Sequence, residues 1–432
     1  MSGSPGADTF VLHGPYVLDE AGSFSGPVDV AVSGGWIVDV GRDVRLDGAP
    51  RVDFAGLWLM PGVFDCHAHV ALSSLDPMEL MSTPVTQWSL EAARNLRRTL
   101  ACGVTFVRDA SGADAGMRTA VERGYVAGPE LSVSVVALSE TGGHMDGFLP
   151  GPGLEMSSEY TVPDYPGRPP YRVDGPEEMR RAVRELLRAG ADWIKLCTTG
   201  GVLSVHDDAL EPQFTVEEIE MAVGEAARRG KGVMVHALGG DGLDHAVAAG
   251  VRSVEHGIHL TEAQAVAMAE AGCFLVPTLA ILEDVLAWAG GGSLSAPAAA
   301  KAAALEGQVG AAVAIAKAHG VRIALGTDLM HRDQHGTNLR ELSLMRRAGL
   351  SPEEALLAAT ATGAELCGVA DRLGRIAPGR RFDAIVLEAD PGDLSLFESP
   401  DAVKAVFKAG ELVRPYERFD MARRGPVGTE RP

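Results

Sequence analysis

The 432-residue sequence predicts an α/β protein built on a TIM (β/α)8 barrel. Three observations predict it: eight short apolar strand candidates, helix-period segments between several of them, and a change to strand-and-turn patterning near both chain ends.

The first 56 residues read as short strands, FVLHGPYVLDE and PVDVAVSGGWIVDVG, with Gly34-Gly35 as a hairpin signal. GRIAPGRRFDAIVLEAD and AVKAVFKAGELV have the same character, so residues 1–56 and 375–432 are expected to form one composite β domain. Residues 57–374 are assigned to the barrel. Its strand candidates are LWLMPGVFDCHAH, VTFVRDA, LSVSVVAL, DWIKLCTT, GVMVHAL, SVEHG, CFLVPTL and RIALGTD. Helical segments such as SLEAARNLRRTLA, PEEMRRAVRELLRAG, TVEEIEMAVGEAARRG and TEAQAVAMAEAG lie between several of them, most stopping at a glycine as a C-terminal cap would. An open doubly wound sheet fits less well, because the Gly-rich dinucleotide fingerprint is missing after the first strand.

Hydrophobic residues make up 46% and charged residues 22%, an ordinary globular composition. With 38 Lys+Arg against 58 Asp+Glu, the formal charge of -20 disfavours nucleic acid and anionic membranes as partners. MSGSPGADTF lacks a basic segment followed by an apolar run, and no later stretch of about 18 apolar residues occurs, so a cytoplasmic location is expected. The five cysteines, Cys66, Cys102, Cys197, Cys273 and Cys367, are odd in number and mostly inside apolar runs, which fits reduced buried thiols. A homo-oligomer is left open.

In a βα barrel the chemistry collects at the C-terminal ends of the strands. His67 and His69 end the first strand candidate, Lys195 lies in the fourth, His236 ends the fifth, His256 the sixth and Asp328 the eighth. The spacing of His67 and His69 puts both side chains on one face of a strand, where they can reach one ion. Neutral imidazole suits zinc and its neighbours. Taken singly, His236 and His256 read more often as core histidines than as ligands, and only jointly, at the ends of neighbouring strands, does the ligand reading win. Asp328 reads as a carboxylate beside a metal-bound water, with a cap on the following turn as its alternative. Lys195 cannot bind a cation as an ammonium, but burial beside metals would drive it to the neutral amine. A neutral amine reacts with carbon dioxide to give a carbamate whose two oxygens can bridge two metals.

Taken in order, DCHAH, WIKLCTTGG, VMVHA, VEHG and LGTD resemble the amidohydrolase superfamily, in its imidazolonepropionase-related and metal-dependent prolidase-like branch. The resemblance spans nearly the whole chain, and AATATGAELCG followed by GRIAPGRRFDAIVL is similar to that superfamily's passage from barrel to an accessory β-sandwich. It implies two divalent cations, zinc first among them. His67, His69 and Asp328 would hold the more buried one, His236 and His256 the second, and a carboxylated Lys195 would bridge both. The implied reaction is hydrolysis of an amide by a metal-bridging hydroxide, with Asp328 moving the proton from nucleophile to leaving amine. The resemblance implies a small-molecule substrate, a dipeptide or an N-acyl or aryl amino acid. The alternatives are a cyclic-amide hydrolase or deaminase using one metal, and a non-catalytic scaffold.

His144, in SETGGHMDG, matches a histidine of this branch and is expected to polarise the carbonyl or bind a substrate carboxylate; a loop hydrogen bond is the plainer reading. The Pro/Gly-rich stretch that follows, within residues 140–175, is expected to face substrate, with Tyr160, Tyr165 and Tyr171 along it. His206, His331 and Arg332 are further candidates for substrate contact, each with a solvated loop position as its alternative, as is His335. Arg108 and Asp109 end the second strand candidate and read either as facing the site or as a buried ion pair bracing the barrel, with no catalytic role assigned.

Overall fold

Alternating side chains of the chain's two β-rich ends build the first layer of the molecule. The computed structural model describes residues 9–149, 151, 154–156, 165, 167–204, 207–305, 307–399 and 401–414. One sheet runs Trp36–Gly41, Asp29–Ser33, Thr9–His13, Arg51–Asp53. The other runs Glu411–Arg414, Val403–Lys408, Ala384–Leu387, Trp58–Pro61, Tyr16–Leu18, Phe24–Ser25. Phe10, Leu12, Val30 and Val32 of the first sheet share one core with Leu59, Ala384, Val386 and Phe407 of the second. Phe10 packs edge-on to Phe382 with ring centres 5.8 Å apart.

The central strands of the second sheet are buried on both faces. Leu59, Val386 and Phe407 face the sandwich core, while their neighbours Met60, Ile385 and Val406 join the core of the barrel. The period of two in a strand makes that division, and it glues the two domains together.

The barrel is the TIM barrel that the sequence predicts. Its strands are Val63–Ala68, Val104–Asp109, Glu130–Val133 continued by Ala137–Leu138, Trp193–Cys197, Gly232–Ala237, Ser253–His256, Phe274–Val276 and Arg322–Ile323. All neighbouring pairs are parallel. The ring closes where Cys66 donates its N–H to Leu325 O at 2.8 Å and Thr327 donates to His67 O at 3.0 Å. Helices begin where the sequence supplies caps: Thr215 and Thr261 each form a capping box, with Glu218 and Gln264 answering three residues on. After strand seven, Leu279–Gly290 and Ala296–Ala303 form a helical pair over the mouth. Among the described residues no helix is long and apolar enough to cross a membrane.

Two local expectations are corrected. The first strand candidate is two strands: Trp58–Pro61 belongs to the sandwich and Val63–Ala68 to the barrel. Gly62 separates them, and a Cβ there would lie 2.1 Å from the Thr105 hydroxyl, so the chain crosses between domains at a point where only glycine fits. The Pro/Gly-rich stretch after strand three, whose composition predicts no regular element, contains a hairpin in which Gly147–Leu149 pairs antiparallel with Leu154–Met156. Tyr160 and His206 lie outside the described residues.

Candidate metal centre

Side chains inside the barrel alternate along each strand. Phe64, Phe106, Trp193, Met234 and Phe274 fill a lower layer, and the polar residues stand above it. Lys195 follows Trp193 by two positions, and His236 follows Met234 by two, so both point inward where the strands end. His256 immediately follows an inward residue, Glu255, and should therefore point outward. It does not, because its φ of 74° turns the backbone at the strand end and brings the imidazole over the mouth. Thr278 and Asp328, after strands seven and eight, adopt the same left-handed conformation with φ of 49° and 56°. Such backbone in non-glycine residues is costly and gathers at functional sites.

The imidazoles are clustered and each is anchored on one nitrogen. His67 and His256 have ring centres 5.1 Å apart, and His236 and His256 4.5 Å. His67 Nδ1 is 2.8 Å from Glu255 Oε2, His69 Nδ1 is 2.9 Å from Ser111 O, and His256 Nδ1 is 2.7 Å from Thr278 Oγ1. These contacts leave three Nε2 atoms for the centre. His236 is reversed: its Nε2 lies 3.0 Å from Gly200 O, leaving Nδ1. Fixing one nitrogen to an acceptor sets the tautomer and aims the other. Asp328 Oδ1 sits 3.0 Å from His69 Nε2 and 3.4 Å from His67 Nε2. One ligand atom each of His67, His256 and Asp328 falls within a 4.8 Å group able to hold a cation.

Lys195 is 3% exposed, and its Nζ has no hydrogen-bond partner. Burial pushes its pKa down, against the pull of the Glu255 and Asp328 carboxylates, which makes the neutral amine easier to reach than in an exposed lysine. Burial likewise holds His236 and His256 well below the ordinary histidine value. Burial alone would raise the Asp328 carboxyl, but the His67 and His69 imidazoles outweigh it and keep the carboxylate charged. Neutral imidazoles at His236 and His256 and an ionised carboxylate at Asp328 are donor states that a divalent cation needs.

Glu255 is the residue that sequence reasoning missed. It is fully buried, accepts from Arg108 at 2.9 Å, and orients His67. Arg108, read as a bracing ion pair with Asp109, pairs instead with Glu255 and stacks over Trp193 at 4.7 Å. Asp109 accepts from the backbone of Val70 and Ala113. Glu255 immediately precedes His256, the last residue of its strand, and simple alternation puts the two on opposite faces.

His144 reaches the same cavity and stacks on His236 with ring centres 4.2 Å apart. Its Nδ1 lies 3.1 Å from Ser204 Oγ, whose single hydrogen bonds to Asp207 or Gly201 O. Ser204 therefore accepts from His144 Nδ1, and the Nε2 lone pair is free to accept a proton or an amide N–H. In this tautomer the imidazole presents an acceptor to the cavity, and burial keeps it neutral by lowering its pKa to about 4. A Cβ on Gly201 would lie 2.0 Å from the ring, so the ring's seat depends on that glycine.

The cavity has a volume of about 770 Å³, the size of a small-molecule site. His331 lies in its wall. Arg332 does not; its guanidinium is bound to Glu79, and its Nε donates to Ser73 O at 3.2 Å. Tyr165 is also outside the wall, packed against the barrel core, where burial pushes its hydroxyl up to about 12. His335 is buried and bonded to Leu72 O at 2.8 Å.

Comparison with known proteins decides the family. The amidohydrolase family model matches residues 58–413. This chain belongs to the amidohydrolase family. The amidohydrolase is 36% identical over 367 residues to the ochratoxinase of Aspergillus niger, which covers 82% of this chain and 75% of that one. The crystal structure of that ochratoxinase overlays with a TM-score of 0.83 at 33% identity, covering 95% of this chain and 96% of the other. A prolidase crystallised with N-methylphosphonate-L-proline is 34% identical, with a TM-score of 0.87 over 94% of this chain and 99% of that one. Imidazolonepropionase of Cupriavidus taiwanensis is 27% identical over 453 residues, 95% of this chain and 96% of its own. The amidohydrolase is thus a hydrolase of C–N bonds in an amide-cleaving, generally metal-dependent family, of the branch that the motifs indicate.

Proposed function

We propose that this amidohydrolase cleaves the amide bond of a dipeptide or of an N-acyl or aryl amino acid, using two divalent cations. The observation that carries the reading is the buried, unpartnered Nζ of Lys195. A buried amine without partners is costly unless it is modified or paired. Addition of carbon dioxide to the neutral amine forms an N–C bond, releases one proton and leaves an anion beside the imidazoles. His67, His69 and Asp328 would hold one cation, His236 and His256 the other, with carboxylated Lys195 between them. Zinc suits this donor set. The cations would supply Lewis acidity, lowering the pKa of the attacking water and drawing charge from the scissile carbonyl.

Asp328 is ionised and bonded to His69, so it is prepared to accept the proton of the attacking water and pass it to the leaving amine. Where the scissile amide is secondary, His144, with its Nε2 lone pair, would accept its N–H and orient the bond for attack. The neighbouring ochratoxinase and prolidase support an amide next to a carboxylate-bearing residue as the substrate.

Protein prepared with zinc and bicarbonate is expected to hold two ions per chain, to show a carbamate carbon signal with ¹³C-bicarbonate, and to hydrolyse a panel of dipeptides and N-acyl amino acids. Lys195→Ala is expected to lose at least one ion and the hydrolysis. Full activity with one ion per chain and no carbamate signal would establish the mononuclear alternative instead.

A further inference from the structure

The helix Leu279–Gly290 turns part of a buried apolar stripe toward the cavity above the metal centre. Ile281, Leu282, Val285 and Trp288 lie at the one, four and seven spacing of a single helix face, and all four line the cavity above the metal centre. The opposite face is occupied by ion pairs: Glu283 binds Arg347 and Asp284 binds Arg340. Leu294 and Met330 extend the apolar wall. The stripe is itself supported, since Ile281 and Val285 share a core cluster with Ala302 of the second helix and Leu282 one with Leu238, Ile258 and Leu305, so what it presents to the cavity is a built apolar wall.

The polar groups of the opposite rim are already engaged. Asp76 accepts from Met78 N at 2.8 Å, and Glu79 is held by Arg332 and by Ser74 Oγ at 2.7 Å. Among the described residues the cavity wall contains no arginine and one lysine, Lys195, which belongs to the metal centre. The wall is also fixed in place. Lys301, on the helix Ala296–Ala303, donates to Gly201 O at 2.7 Å, Ser204 O at 3.0 Å and Asp207 Oδ1 at 2.8 Å. The helical pair is thereby tied to the loop that seats His144, so the apolar wall stands in fixed register with the reacting bond.

Resting on the amidase reading above, we infer that the helical pair after strand seven is a specificity lobe that takes a bulky, uncharged apolar group flanking the scissile amide. Ile281, Val285 and Trp288 are its determining residues. The lobe excludes an ionised chain, because no free countercharge lines it and burial of an unpaired charge is strongly unfavourable.

Two substrate series test the lobe with zinc-loaded enzyme: N-acetyl, N-hexanoyl and N-benzoyl leucine on the acyl side, and N-acetyl glycine, leucine and phenylalanine on the amine side. In at least one series kcat/KM is expected to rise by about tenfold or more from the smallest to the largest group, with an ionised chain such as N-succinyl rejected. Trp288→Ala and Val285→Thr are expected to flatten that rise. Melting curves establish that each variant is folded, and the milder Val285→Thr carries the test where Trp288→Ala fails to fold. Turnover that is flat across both series would overturn the lobe and leave the amidase reading standing. Absence of turnover throughout would overturn the amidase reading; calorimetric binding to the metal-free protein then decides the lobe, with N-benzoylphenylalanine expected to bind at least about tenfold tighter than N-acetylglycine. Equal binding would overturn it.

Discussion

Glu255 shows how one carboxylate governs a centre without belonging to it. Burial alone would raise its pKa, but the Arg108 guanidinium and the His67 imidazole pull it well below the carboxylate range. Replacing it by glutamine leaves Arg108 buried at 0% exposure without its countercharge, a loss on the order of 3–5 kcal/mol. Glu255→Gln is therefore expected to lower the urea midpoint sharply and to weaken zinc retention, read by metal analysis after dialysis. His335 supplies a pH test away from the centre. Burial lowers its pKa from 6.5 to about 4, so between those values the unfolded chain binds the proton more readily. That contribution to stability is full above 6.5 and is lost as the pH falls toward 4. Its share amounts to about 2 kcal/mol between pH 7 and 5, and His335→Gln, which keeps a donor for Leu72 O, should reduce the drop in urea midpoint over that range. The ligand types were legible in the sequence because each ends an apolar run. Glu255 was not, since its alternation with His256 implies opposite faces and only the left-handed turn at His256 brings both to the centre.

At the scale of elements, the Lys301 clamp gives the clearest expectation. Lys301→Met removes three donations and leaves the nearly inaccessible Asp207 carboxylate without its cation. A loss of roughly 2–3 kcal/mol is expected, with faster amide exchange through residues 201–204 and a lower kcat/KM. Unchanged exchange in that loop would contradict the clamp. Helices were legible where capping boxes and terminal glycines mark them, as at Thr215 and Gly272. The split at Gly62 was not, because WLMPGVF is one continuous apolar run and the break is enforced by Thr105, distant in sequence. Strand three is divided for a similar reason, with Val135 at φ 71° interrupting an unbroken LSVSVVAL.

Over the whole molecule the formal charge of -20 should be felt by any anionic substrate on approach. For an N-acyl amino acid, kcat/KM is expected to rise as salt increases from about 10 mM to 150 mM, over which the screening length shortens from about 30 to 8 Å. The corresponding uncharged amino-acid amide should show little change; equal salt responses for the two would mean that the mouth is locally insulated from the overall field. The barrel itself was legible from eight apolar runs, whereas the burial of the second sheet's central strands on both faces was not, because it depends on which strands from distant parts of the chain become neighbours.

That sheet also sets a timetable for synthesis. Trp58–Pro61 finds its neighbour in Ala384–Leu387, with Pro61 opposite Ala384. At about 5–20 residues per second, the ribosome delivers the later strand tens of seconds after the earlier one. During that interval Leu59 and Met60 have emerged and the earlier strands can meet one side of their strand, but the edge that Ala384–Leu387 will cover stays open. A nascent chain stalled before residue 384 should therefore carry an unpaired strand edge, sticky toward chaperones and other copies, however complete its barrel has become.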